Sequence, residues 1–284
     1  MEFDFSQAFA GEEHKSFVWQ GRRHAALLIH GFPGTPAEMH PLAMALHERG
    51  WTVSAPLLPG FGTDIENLPV RTIKDWKRTV ESALRELTAS HEHIIIAGNS
   101  MGGALSIDLA ARHQIHGLVL FAPFWHLDHI LWRLLPVLRH IVPTFKPFRL
   151  FKPDFSDPEV QAGITRFLGD VDFSDPEVRK NILEFSVKVS IFDNIRQAGE
   201  LGYAQATNIS VPTLVIQGLQ DELVQPVLTR QLITRLKGPV EYMEVEGDHV
   251  LIGEHNAVWP NIVRNIMQFL HAHQLGINAT GIRN

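Results

Sequence analysis

Ile94-Ile95-Ile96-Ala97-Gly98-Asn99-Ser100-Met101-Gly102-Gly103 decides how the rest of this chain reads. Its first four residues are apolar on both faces of an extended chain, the pattern of a parallel strand covered on two sides. A helix is expected from about Met101 to His113. Between the two, Gly98-Asn99-Ser100-Met101-Gly102 fits G-x-S-x-G. The pentapeptide alone is a weak signal. Its place between a strand and a helix makes it strong, because that turn holds a serine hydroxyl at a strained corner on the sheet edge. Gly98 and Gly102 keep Cβ atoms out of a space where backbones approach closely, and Gly103 extends the clearance.

Upstream, Ala25 to His30 is a short apolar run closed by the breakers Gly31-Phe32-Pro33-Gly34-Thr35-Pro36, which reads as a buried strand and a loop. A helix over about 37–49 stops at Gly50, and Trp51 to Ala55 reads as the next strand. Pro59-Gly60-Phe61-Gly62 marks a loop. From Thr72 the period becomes helical through Ile73, Trp76, Val80, Leu84 and Leu87, with Thr72 and Asp75 spaced as a capping box. Downstream, Gly117 to Ala122 is another buried strand. The first two dozen residues suit one or two short edge strands. This alternation implies an α/β fold, a mostly parallel sheet with helices on both faces.

The rhythm breaks over 123–207, a proline-rich stretch with helix-like patterning, and resumes at Thr213 to Gly218. A helix over about 226–236, a strand over 240–245 and a helix over about 256–273 follow, and 277–284 reads as a loose tail. The expected organisation is a core of 1–122 and 208–284 with a helical cap inserted at 123–207. Within the cap, Asp154-Phe155-Ser156-Asp157-Pro158-Glu159-Val160 recurs as Asp172 to Val178. Asp before Pro reads as an N-cap and first helical position, so the repeat is two helix starts of one design.

The chain has 284 residues and no cysteine, which excludes disulfides, thiolate metal sites and a cysteine nucleophile, and fits the cytoplasm. A net charge of -6 argues against a nucleic-acid partner. Met1 to Phe5 is acidic where a signal peptide is basic, and no apolar run reaches the roughly 18 residues of a membrane span, so no stable membrane insertion is expected. The 16 histidines are scattered, and the pairs His91/His93 and His271/His273 read as solvated surface rather than metal ligands.

A serine hydroxyl needs a base. His249 sits just after the strand ending at Val245, on the sheet edge that carries Ser100. The imidazole needs a carboxylate. Asp221 follows the strand at 213–217, with Glu222 and Asp248 as rivals. Acyl transfer needs an oxyanion hole. Met101 N–H and Phe32 N–H are the expected donors, since Pro33 has none, and His30 is expected to brace its loop from below. Phe124, Trp125, Ile130, Leu131, Trp132, Leu134 and Leu135 open the cap and are apolar enough to line an acyl pocket or simply to pack the cap onto the sheet. Val250, beside His249, joins Phe124, Trp125, Leu131 and Leu135 as an expected pocket residue.

His30-Gly31-Phe32, the elbow 98–103, Gly218-Leu219-Gln220-Asp221 and Gly247-Asp248-His249 resemble the α/β-hydrolase superfamily over nearly the whole chain. The chain order Ser, Asp, His is also that of the superfamily. Within it the chain is most similar to the small carboxylesterases and monoacylglycerol lipases of prokaryotes. The resemblance implies an α/β-hydrolase fold and a serine carboxylesterase working through an acyl-enzyme, with no cofactor and no metal. A small-molecule ester is the expected partner, and exposed cap aromatics could build a homodimer. Many relatives carry Gly-His-Gly where this chain has Gly60-Phe61-Gly62, which weakens a claim to monoglycerides and favours a more apolar site. Haloalkane dehalogenases and epoxide hydrolases use Asp at the elbow, and dienelactone hydrolases use Cys. Proline iminopeptidases carry H-G-G-P-G where this chain has His30-Gly31-Phe32-Pro33-Gly34, so a peptidase ranks lower. Two other classes fit the fold: a C–C bond hydrolase, and a non-catalytic binder, which would usually lack a triad member.

Overall fold

The computed structural model of the chain describes residues 9–146, 148–149, 153–168 and 171–275. The expected tail at 277–284 and the acidic start at Met1 to Phe5 lie outside them. Seven strands form one sheet: β1 (Phe17–Trp19), β2 (His24–Ile29), β3 (Thr52–Ala55), β4 (His93–Asn99), β5 (Gly117–Phe121), β8 (Thr213–Gly218) and β9 (Val240–Val245). Their order is β1-β3-β2-β4-β5-β8-β9, parallel throughout except for the antiparallel edge pair β1 and β3. The central strands are buried along their length, as runs such as Leu27-Leu28-Ile29 and Ile94-Ile95-Ile96 require of a sheet covered on both faces.

The connecting helices are α1 (His40–His47), α2 (Ile73–Thr88), α3 (Met101–Arg112), α8 (Pro226–Ile233) and α9 (Trp259–Ala272). Part of the helix expected over 37–49 is a tighter 3-10 turn, Pro36–Met39, capped by Thr35. The Thr72/Asp75 capping box at the start of α2 is present. β2 and β4 are neighbours, yet the chain leaves β2 toward β3 and leaves β4 toward β5. Their C-terminal ends therefore flank the point where the strand order reverses, which is where open α/β sheets form a crevice.

Between β5 and β8 lie α4 (Ile130–Ile141), the short hairpin strands β6 (Thr144–Phe145) and β7 (Val187–Lys188), α5 (Pro158–Leu168), α6 (Pro176–Glu184) and α7 (Val189–Gln205). Helices α5 and α6 share a small core of Ile164, Val178 and Ile182, separate from the main one. The repeated heptapeptide builds it. Asp154 and Asp172 each accept the backbone N–H of the serine two residues on, and Asp175 caps α6. The rings of Phe155 and Phe173 then meet 6.3 Å apart over that core. Helix α7 lies instead on α3, where a Cβ at Gly202 would stand 2.8 Å from the Ala104 carbonyl oxygen. Buried Asp193 of α7 pins α4 by accepting from Arg139 Nη1 at 2.7 Å. Among the described residues, no helix is long and apolar enough to cross a membrane.

Candidate active site

Ser100 sits in the turn between β4 and α3 with φ 50° and ψ −115°, a left-handed conformation that costs a non-glycine residue about 1–3 kcal/mol. Backbone bonds hold it there. Its N–H donates to Phe121 O at 2.9 Å, and its carbonyl accepts from Gly103, Ala104 and Phe124 at 2.9, 3.3 and 3.1 Å. The flanking glycines are required by space. A Cβ on Gly102 would lie 2.2 Å from Ile29 O, and one on Gly98 would lie 2.4 Å from Gly102 O. Met101 opens α3, so its N–H belongs to the first turn, which has no intrahelical acceptor.

Asp221 follows β8 and is 3% exposed. Its Oδ1 accepts the N–H groups of Leu223 and Val224 at 3.0 and 2.8 Å. Its Oδ2 accepts from His249 Nδ1 at 2.7 Å and from Gln217 Nε2 at 3.1 Å. With Nδ1 so engaged, His249 Nε2 is the nitrogen left for proton transfer. It is buried and meets no hydrogen-bond partner among the described residues. Neither rival carboxylate does this work. Glu222 is exposed, and Asp248 turns onto the Val250 N–H at 2.7 Å.

The loop after β2 is braced from below by His30. Leu58 N–H donates to its Nε2 at 3.0 Å, which leaves the proton on Nδ1 to donate to Gly31 O at 2.9 Å. Burial pushes the His30 pKa down to about 4, so the ring stays neutral. Phe61, which stands where many relatives have histidine, packs against this loop. It is fully buried, edge-on to His30 and Phe32, and its ring supports the loop rather than facing a ligand.

Ser100, His249 and Phe32 line one cavity of about 970 Å³ with Pro33, Leu223 and Val250 to Ile252. Glu38 and Asn99 form part of its wall, and Gly163 and Thr165 of α5 close over it. Of the pocket residues expected from sequence, Val250 is in place and four are not among the lining residues. Phe124 is buried edge-to-face on Trp132, and Leu135 is buried in the main core. Trp125 stacks on Tyr203 at 4.1 Å and donates its indole N–H to Leu228 O. Leu131 is 54% exposed. The reason is the way α4 lies: its Trp132 and Leu135 face the core and its opposite face meets solvent. The cavity opens instead beside the 3-10 turn and α1. The large apolar residues that are exposed among the described residues, Ile130 and Ile141 of α4 among them, are aliphatic.

Two site residues escaped the sequence reading. Gln217, fully buried, braces Asp221, and its Oε1 in turn accepts from Thr229 Oγ1 at 2.6 Å. A glutamine inside an otherwise apolar strand, four residues before the acid, was the available signal. Glu38 accepts hydrogen bonds from Gly31 N–H and from Asn99 Nδ2, and burial raises its carboxyl pKa. Nothing in its sequence setting separated it from an ordinary acid in a helical first turn.

A family model described as serine aminopeptidase, S33, matches residues 20–255. The chain belongs to this family. Over 94 residues it is 44% identical to a thermostable monoacylglycerol lipase of Bacillus sp. (strain H-257), covering 33% of this chain and 38% of that enzyme. Over 106 residues it is 36% identical to a carboxylesterase of Bacillus subtilis (strain 168), covering 37% of this chain and 43% of that one. The matched stretches thus span less than half the length of either relative. Among solved structures, one from work on the metagenome-derived lipolytic enzymes LipS and LipT superposes with a TM-score of 0.74 at 20% identity, covering 92% of this chain and 99% of the other. The monoacylglycerol lipase of Paleococcus ferrophilus superposes with a TM-score of 0.68 at 20% identity, covering 91% and 98%. The fold of this S33 family member is the α/β-hydrolase fold.

Proposed function

We propose that this S33 family member is a serine carboxylesterase acting on small to medium-chain esters, with Ser100, His249 and Asp221 as its triad. The observation that carries the reading is the hydrogen bond from half-buried His249 to buried Asp221, with His249 Nε2, unpaired among the described residues, in the same cavity as Ser100. His249 Nε2 takes the proton from Ser100 Oγ as the oxygen attacks the ester carbonyl. The N–H groups of Met101 and Phe32 stabilise the resulting oxyanion. His249 then protonates the departing alkoxide, leaving an acyl-serine, and water repeats the sequence to release the acid. Asp221 holds the ring in the tautomer that each step needs.

The cavity is at the upper end of the roughly 300–1,000 Å³ of ordinary small-ligand sites, and its apolar wall suits an acyl chain. Residues 123–207 act as the cap, with α5 over the cavity. Monoacylglycerol hydrolysis is the second reading. It is favoured by the polar groups of Thr35, Glu38 and Asn99 in the same cavity and by the Bacillus relative. Wild type and Ser100→Ala are to be compared on p-nitrophenyl esters from acetate to dodecanoate, on a monoacylglycerol and on an aminoacyl p-nitroanilide. A labelled fluorophosphonate is to be applied to both. Ester turnover and labelling that vanish in Ser100→Ala support the reading. An alanine variant that hydrolyses p-nitrophenyl butyrate at the wild-type rate refutes it.

A further inference from the structure

Beyond the last paired residues of β2 and β4, Ile29 opposite Gly98, the ladder between these strands ends. The two chains that continue carry the two expected oxyanion donors, Phe32 N–H on one and Met101 N–H on the other. They run close together, since a Cβ on Gly31 would stand 3.1 Å from Asn99 O and 3.2 Å from Ser100 Cβ. Their spacing therefore needs a tie that is not part of the sheet. One carboxylate oxygen supplies it: Glu38 Oε1 accepts both the Gly31 N–H and the Asn99 side-chain N–H, the latter at 3.3 Å.

Resting on the esterase reading above, we propose that Glu38 is a positioning residue that sets the distance between the two oxyanion donors. Its own footing is firm. Thr35 caps the turn that carries it, accepting Ala37 N–H at 3.3 Å through Oγ1 and Glu38 N–H at 3.1 Å through its carbonyl. His14 Nδ1 lies 2.8 Å from the same Oγ1 and braces the cap from outside. No Arg or Lys among the described residues pairs with Glu38. A carboxyl held against burial without a cation is a poor device for stability alone. It is explained by what its oxygen holds. Glu38 shares the cavity wall with Ser100 and His249, but its side-chain hydrogen bonds go to the two loops and to neither of those side chains.

The test measures kcat, KM and melting temperature on p-nitrophenyl butyrate for wild type, Glu38→Ala, Glu38→Gln and Asn99→Ala. Shifting a donor by a fraction of an ångström weakens an interaction made only in the transition state, so kcat should fall while KM holds. Glu38→Ala is expected to lose about 10- to 100-fold in kcat with KM within about 3-fold. Glu38→Gln keeps an acceptor oxygen for both donors and is expected within about 3-fold of wild type. Asn99→Ala cuts one arm of the tie and should lose about 3- to 10-fold in kcat. If Glu38→Ala does not fold, Asn99→Ala decides alone. An unchanged kcat in the folded variants, a loss confined to KM, or a Gln variant as poor as Ala overturns the proposal. Wild-type protein inert to ester and to fluorophosphonate overturns the esterase reading and this one together. An active wild type with an indifferent Glu38→Ala overturns this one alone.

Discussion

Asp221→Asn changes one charge and one donor count at a site where the outcome can be worked from hydrogen bonds. All four neighbours of the carboxylate are donors: the N–H groups of Leu223 and Val224 on Oδ1, and Gln217 Nε2 and His249 Nδ1 on Oδ2. An amide offers one oxygen and one NH2. If its oxygen stays on the backbone pair, the NH2 faces Gln217 and His249. Gln217 Nε2 keeps Gly218 O and Val224 O as acceptors, so its loss is small. His249 must then accept at Nδ1 and carry its proton on Nε2, the tautomer that cannot take a proton from Ser100. The flipped amide would strip both backbone N–H groups of their acceptor, at about 1–3 kcal/mol each, so the first orientation wins. The expected result is a folded protein, less stable by about 1–3 kcal/mol. Its kcat on p-nitrophenyl butyrate should be down about 10⁴-fold, or some 5.5 kcal/mol of transition-state stabilisation. Steady-state kinetics beside a thermal melt reads both. A cooperative melt with kcat within about tenfold of wild type refutes the tautomer argument.

The other perturbations follow from burial and space. His30 has a folded pKa of about 4 against an ordinary 6.5, so its contribution is complete above pH 6.5 and is lost as pH falls toward 4. That amounts to about 3 kcal/mol by pH 4, and a pH series of melting temperatures should be shallower for His30→Asn, which takes up no proton. Asp193, 1% exposed, accepts from Arg139 of α4 and from Arg196 and Gln197 of α7. Asp193→Ala should cost about 3 kcal/mol in urea unfolding and expose α4 to limited proteolysis; unchanged cleavage would count against its pinning the cap. Gly102→Ala forces a Cβ within 2.5 Å of two carbonyl oxygens, so little folded protein is expected. Gly163→Ala in α5 meets nothing within 4 Å and should raise stability by about 0.5–1 kcal/mol, read by calorimetry.

The parts of this molecule that announced themselves were those written locally. Strand β4 and its turn could be read because Ile94 to Gly103 holds its own strand, corner and helix start. That Asp221 and His249 would share one sheet edge with Ser100 could be read because each follows the end of a strand, and parallel strands bring their C-terminal ends to one edge. The repeated Asp-Phe-Ser-Asp-Pro segments gave their helix starts, although not that Phe155 and Phe173 would meet. What stayed hidden depends on which face an element turns inward. Phe61 reads as a loop aromatic until His30 and Phe32 are seen resting on it. Leu131 and Leu135 are equally apolar in sequence, and the lie of α4 sends one to solvent and the other to the core. Glu38 needs three separated segments in view before its two donors come together.

These hidden contacts share a direction. The reacting groups stand on backbone that is either strained or out of reach of the sheet's own hydrogen bonds, and polar groups, backbone or side chain, compensate in each case. Ser100 is held at φ 50° by the carbonyl of Phe121 on the neighbouring strand and by donors from α3 and from Phe124. The loop beyond Ile29 has lost its ladder, and His30 and Glu38 replace it from below and from the side. Asp221 stands past the end of β8, and Gln217 inside the strand reaches up to it. A preorganised site needs such supports because its geometry must precede the substrate. His30 and Gln217 are fully buried polar side chains and are therefore intolerant of truncation. Damage to function should accordingly extend one residue deeper than the proposed triad. Gln217→Leu, which touches neither Ser100 nor His249, should lower kcat with little change in KM. Conservative exchanges on the exposed face of α4, such as Val137→Thr, should not.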